Sequence, residues 1–246
     1  MDKQINLAWM YPDILNLHGE RGNVQAFKYV ADLLGVTLNI ERIDDVDAKI
    51  DFSHFDILLF NAGELKVLPT ILKSLNEQKE ELQEYIEQKK TIIVTGTTSA
   101  LLGNKIHLLC GQSFEGLHIF DADYQERKMV IGDDLYYTLE DGLEVVGSQI
   151  QMVDITLGED DKPLGTIQYG YGNNGTSIEG AKKNHILFTN CLGPVFVKNP
   201  WFAEKILRTV CEQKEIEIAT DLEINYELEK NSLTATKEFI DKKLLK

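Results

Sequence analysis

The chain has 246 residues, 43% of them hydrophobic, which suits one large α/β domain or one such domain with an appended tail. Its 40 acidic against 25 basic residues leave a formal net charge of −15, which repels phosphate backbones and anionic lipid and so excludes nucleic acid and membrane surfaces as natural partners. No apolar run approaches the ~18 residues of a membrane span. Met1–Gln4 lead straight into an apolar stretch without a signal-peptide pattern, so a cytoplasmic protein is expected.

The first half alternates strand and helix patterns. Ile5–Met10 is an apolar run closed by the turn signal Tyr11-Pro12-Asp13 and reads as a strand. Val24, Phe27, Val30, Ala31 and Leu34 recur at helical spacing, and Gly35 stands where that helix would stop. Thr37–Ile43 alternates as a half-buried strand, and the short apolar run Ile57–Phe60 ends at Asn61-Ala62-Gly63. One or two helices occupy the stretch between Lys66 and Lys90. Next comes the β-branched run Thr91–Thr95, closed by Gly96. This order predicts a doubly wound, mainly parallel sheet with helices on both faces. Sites in such folds form at the carboxyl ends of strands, here Asn61–Gly63 and Gly96–Ser99.

From about Cys110 to Val197 the chain turns glycine-rich and alternating. Strands are expected in Val130–Leu139, Glu144–Leu157 and Gly165–Tyr171, with turns at Glu140-Asp141-Gly142 and Gly158–Asp161. Asn199-Pro200 marks a helix start, with Asn as N-cap and Pro in the first turn. The resulting division is a domain over 1–215 and a helical tail over 216–246, the latter amphipathic and packed on the body or on another chain.

Cys110, Cys191 and Cys211 are too widely spaced for a disulfide framework or zinc site, and each reads by default as a small buried apolar residue. The acidic pairs Asp44-Asp45, Asp133-Asp134 and Asp160-Asp161 read as solvated turn charge, and neither a metal site nor a cofactor is expected. Val94–Leu102 has the form of a nucleophile elbow, but Gly96 occupies its reactive position. Thr97, Thr98 or Ser99 could supply a hydroxyl, though none of the five histidines is a sequence-local base. The simpler reading is a glycine turn with a helix N-cap.

Four segments carry a family resemblance. Asp13–Asn23 resembles D-x-x-N-x-Y-S-D-x-G-N, Glu115–Asp121 resembles E-G-L-G-I-x-D, Tyr169–Asn174 resembles F-G-Y-G-N-N, and Leu192–Asn199 resembles H-G-P-x-L-P-K-N. Order and spacing are kept over roughly 5–215. The chain thus resembles the cobyric-acid-synthase-like branch of class I glutamine amidotransferases, and within it the GatD-type glutaminase subunits of lipid II isoglutaminyl synthases. The resemblance implies a flavodoxin-like fold with a strand-rich second half. It also implies a Mur-ligase-like (MurT-type) partner that amidates a peptidoglycan precursor.

Carried over position by position, the resemblance implies lost chemistry. The family's elbow cysteine is here Gly96, its catalytic histidine is Leu192, and its G-G-G oxyanion loop is Asn61-Ala62-Gly63. Gln149–Val153 replaces a polar glycine-rich E-N-H-G-G stretch. Leucine moves no proton and glycine offers no thiolate, so a pseudoenzyme is expected. The vestigial pocket would comprise Asn61, Ala62, Gly63, Gly96, Thr97, Thr98, Ser99, Cys191 and Leu192. A displaced nucleophile at Cys191 is the alternative. Adjacent strand residues face opposite ways, however, so Cys191 and Leu192 should not share the cleft.

Overall fold

A computed structural model describes residues 3–219 and 222–245. Met1, Asp2, Thr220, Asp221 and Lys246, which the expected domain and tail include, lie outside the described residues. In chain order the first half comprises β1 (Gln4–Met10), α1 (Arg21–Leu33), β2 (Thr37–Ile43), β3 (Ile57–Phe60), α2 (Leu68–Glu77), α3 (Lys79–Glu87) and β4 (Thr91–Thr95). The second half adds β5 (Lys105–His107), β6 (Ser113–Glu115), β7 (Ala122–Leu139), β8 (Glu144–Leu157), β9 (Gly165–Tyr169), β10 (Ile178–Glu179), β11 (Ala181–Lys183), β12 (Ile186–Thr189) and β13 (Cys191–Leu192). Helices α4 (Val195–Lys198), α5 (Pro200–Gln213) and α6 (Glu227–Leu244) complete it.

The central sheet runs β11-β12-β4-β3-β1-β2, parallel except for β11. Counting only its five parallel strands, the order is the flavodoxin-like 2-1-3-4-5. Strand periodicity divides the apolar side chains between two cores. Ile5, Leu7, Ile57, Leu59, Ile93 and Leu187 join α1 and α5 on one face. Ala8, Met10, Leu58, Phe60, Val94 and Phe188 join α2 and α3 on the other. Each fully buried Leu, Ile or Phe contributes about 1.5–3 kcal/mol. Phe27 and Phe196, with ring centroids 4.7 Å apart, tie α1 to α4.

The second sheet is built on the β7–β8 hairpin, whose register shifts between Glu126 and Ile131. That irregularity leaves Met129 and Val130 exposed. β7 begins at Ala122, eight residues earlier than the alternation at Val130–Leu139 suggests, whereas β8 has the expected bounds. β13 pairs with β8, so the strand carrying Leu192 is fixed to the second sheet rather than to the first.

Several local expectations are corrected. Asn199 does stand at the N-cap of α5 but makes no side-chain cap. Its carboxamide is spent on the Val146 backbone and the Val195 carbonyl, which ties α5 to β8. Cys110 is exposed, unlike Cys191 and Cys211. Asp161 is buried rather than solvated, accepting the Asp121 amide and facing Lys183 at 3.4 Å. The tail forms one helix, α6, anchored by Lys237 to Glu144 and by Lys243 to Asp133 and Asp134. Among the described residues no helix is long and apolar enough to cross a membrane.

Candidate functional site

The carboxyl ends of β1, β3 and β4 meet at the loop Asn61–Gly63 and the turn at Gly96. Gly96 adopts φ +60°, the left-handed conformation an elbow requires and one that L side chains rarely take. The chain continues from this turn as a seven-residue 3-10 helix, Gly96–Leu102, and not as the expected N-capped α-helix: Thr95 makes no side-chain cap. A Cβ built on Gly96 would lie 3.0 Å from Leu192 Cδ2 and 3.1 Å from Ala62 Cβ. Leu192 is buried, so an apolar side chain fills the space above the turn.

The Gly63 amide is already committed. It donates to Thr98 Oγ1 at 2.8 Å, and that hydroxyl donates to the Asn61 carbonyl at 2.8 Å. A Cβ at Gly63 would meet Leu15 Cδ2 at 2.3 Å, so a larger residue here would have to displace the Leu15 side chain. The Ser99 hydroxyl is buried without a partner, while its carbonyl accepts from Tyr124.

Beneath the turn lies a buried polar cluster that sequence reasoning missed. Asn23 donates to Glu20 at 2.6 Å and to Asn61 at 3.1 Å, and it accepts the Phe196 amide. Glu20 also accepts from the Thr95 hydroxyl and, at 3.5 Å, from the Gly193 amide. It therefore touches the neighbours of both Gly96 and Leu192. Burial pushes the Glu20 carboxyl up from 4.5 to about 7, against the opposing pull of the Gly193, Thr95 and Asn23 hydrogen bonds. Only the D-x-x-N…G-N resemblance marked this region, and nothing in the composition indicates that Glu20 is fully enclosed.

Cys191 is turned away from the cleft. Its sulfur packs so closely against β8 that a Cβ on Gly147 would lie 2.3 Å from it. Burial, followed by the nearby Glu179, holds the thiol far above its ordinary range, which is the opposite of what a nucleophile needs. Leu192 points into the cleft instead, as strand alternation predicts.

A cavity of about 400 Å³ opens over the elbow, lined by Ala62, Gly63, Thr97 and Leu192 among others. Asn61, Gly96, Thr98, Ser99 and Cys191 do not line it. The wall is completed by Val130, Ile150 and Met152 from the hairpin, and by His18, an exposed residue on the loop before α1. Among the described residues His18 makes no hydrogen bond to Thr97, Ser99 or Cys191, so it is not paired with any of these groups. The β8 contribution was legible from its period of two. Gln149 and Gln151 point inward, where Gln149 accepts the Tyr171 and Gly172 amides at 3.0 and 3.1 Å and Gln151 donates to the Asn173 carbonyl. Ile150 and Met152 consequently face the cleft. The polarity is inverted, with amides inside and apolar groups outside.

No protein-family model matches the chain. It is 29% identical over 217 residues to the GatD subunit of the glutamine-hydrolysing lipid II isoglutaminyl synthase of Streptococcus pneumoniae, covering 86% of this chain and 82% of that one. The GatD subunit of the Staphylococcus aureus enzyme is also 29% identical, over 221 residues and 87% of each chain. A crystal structure of a glutamine amidotransferase superposes with a TM-score of 0.53 at 14% identity, covering 82% of this chain and 98% of its own. The chain therefore has the fold of class I glutamine amidotransferases and is similar in sequence to the GatD subunits of lipid II isoglutaminyl synthase.

Proposed function

We propose that this chain is a glutamine amidotransferase-like subunit of GatD type that does not hydrolyse glutamine, and that it binds a Mur-ligase-like (MurT-type) partner concerned with amidation of a peptidoglycan precursor in the cytoplasm. The observation that carries the reading is the packing of Leu192 against Gly96. The two positions that the resemblance assigns to nucleophile and base are an apolar contact. Thr98 supports it by occupying the Gly63 amide, because oxyanion stabilisation needs donors left free for the developing charge. The buried, protonated Cys191 speaks against a displaced thiol.

On this reading residues 1–215 form the amidotransferase-like domain and 216–246 a tail whose α6 caps the second sheet. The retained cleft is a shape for recognition rather than chemistry. The test is twofold. Ammonia release from glutamine is measured on the chain alone and after co-expression with the Mur-ligase-like protein of its host, and the complex is sized by light scattering. A stable complex without ammonia release is expected. Turnover of glutamine, or failure of the two proteins to associate, would overturn the respective half of the reading.

A further inference from the structure

A second cavity lies far from the elbow, at the amino ends of β4 and β12, where Thr91 and His185 form part of its wall. Its volume is about 520 Å³, within the range of small-molecule sites. The floor is apolar and buried: Leu139, Leu164, Leu187, Phe202 and Ile206. The rim is cationic, with Lys162, Lys182 and Lys205.

This arrangement runs against the character of the whole protein, whose net charge is −15. Lys162 and Lys182 sit directly opposite each other in an isolated antiparallel bridge, closed by the Lys182 amide donating to the Lys162 carbonyl at 2.9 Å. Like charges placed opposite one another across strands repel. Among the described residues neither ammonium has a carboxylate partner, although Lys205 is engaged by Asp141. Glu140 and Asp141 at the same mouth leave the lining with a net excess of one positive charge. His185 adds none, since burial, followed by Lys182 and Lys89, holds its imidazole below the ordinary range.

An apolar floor beneath two unneutralised, mutually repelling ammonium groups is complementary to a molecule with one anionic head and an apolar body. We propose that this cavity binds a small amphipathic anion, its carboxylate or phosphate between Lys162 and Lys182 and its aliphatic or aromatic body on Leu187 and Phe202. The cavity touches the β7–β8 turn through Leu139, the central sheet through Leu187 and α5 through Phe202, so an occupant bridges three parts of the fold. A ligand that binds only the folded state raises its stability by mass action.

The full chain is titrated at low salt, by thermal unfolding and calorimetry, with octanoate, octyl phosphate, octanol, acetate and inorganic phosphate. Octanoate or octyl phosphate is expected to bind saturably and raise the Tm. The tighter of the two identifies the head group, while acetate, phosphate and octanol have little effect. The double variant K162Q/K182Q changes two exposed side chains and should keep the parent's Tm without ligand, yet bind the amphiphile at least tenfold more weakly. Octanol binding should be the same in parent and variant. Met152→Glu, which alters the elbow cleft instead, should leave amphiphile binding unchanged. Absence of saturable binding by both amphiphiles, octanol binding equal to octanoate, undiminished binding by K162Q/K182Q, or loss of binding in Met152→Glu would each overturn the proposal.

Discussion

The Gly63 amide ends on the Thr98 hydroxyl, 2.8 Å away, and the same hydroxyl closes back on the Asn61 carbonyl. The loop after β3 is thereby sewn to the turn after β4 by one side chain. Thr98→Val keeps the shape and removes both bonds. It should destabilise the protein by about 1–3 kcal/mol, because the buried Gly63 donor is left unsatisfied. Urea unfolding measures the loss, and ammonia release from glutamine should stay at background.

Introducing a sulfur at the turn should not produce glutaminase chemistry. Gly96→Cys places a side chain at φ +60° against Leu192 and Ala62, with an expected cost of about 1–3 kcal/mol. Gly96→Cys/Leu192→His relieves the apolar contact but leaves the Gly63 amide occupied, and it too should release no ammonia. The readouts are chemical unfolding and a coupled glutamate assay.

Cysteine accessibility gives a chemical check on the fold. Iodoacetamide at pH 8 should label native protein once, at the exposed Cys110, and label all three cysteines after unfolding. Peptide mass spectrometry locates the adducts. Rapid native labelling of Cys191 would be incompatible with its burial.

Glu20 makes stability depend on pH in an identifiable direction. Folded Glu20 keeps its proton to about pH 7, whereas an unfolded glutamate releases it near 4.5. The folded state binds more protons between those values, so this contribution is complete below about 4.5 and is lost as pH rises through about 7. Glu179, also raised by burial, acts in the same direction. Glu20→Gln should reduce the slope, improving stability relative to the parent at pH 8 over pH 4.5 by on the order of 2–3 kcal/mol. Unfolding free energies across that range provide the measurement.

Gln149 should matter more than an ordinary surface-strand glutamine. Gln149→Leu leaves the Tyr171 and Gly172 amides without their acceptor, at an expected cost of about 2–4 kcal/mol. Hydrogen exchange should quicken at 171–174, while the central sheet stays protected.

The alternating strands and helices of the first half pointed to a doubly wound parallel sheet because parallel strands joined by helices leave few topologies, whereas the flavodoxin-like order followed from the family resemblance. The bounds of β8 were readable, Glu144 to Leu157, although its alternation is regular only over Gln149–Met152 and Val153–Leu157 and breaks at Val145-Val146 and Met152-Val153. The site was less legible. Leu192 over Gly96 joins residues nearly a hundred positions apart, and Thr98 read only as a spare hydroxyl because its partners lie on another strand's loop. Glu20 carried no local sign of burial, as a glutamate just before a helix is ordinarily solvated. Asn199 shows the same limit: its position marked the start of α5, but its carboxamide answers to β8.

The left-handed turn at Gly96 bears on reversibility. On the proposed reading, with Leu192 seated over it and Thr98 holding the neighbouring loop, thiol chemistry would need a sulfur, a base and a released amide together. Each change alone is expected to cost stability without turnover, so the path to that chemistry has no rewarded first step. On that reading, a conformation suited to presenting a nucleophile acts as a lock against acquiring one.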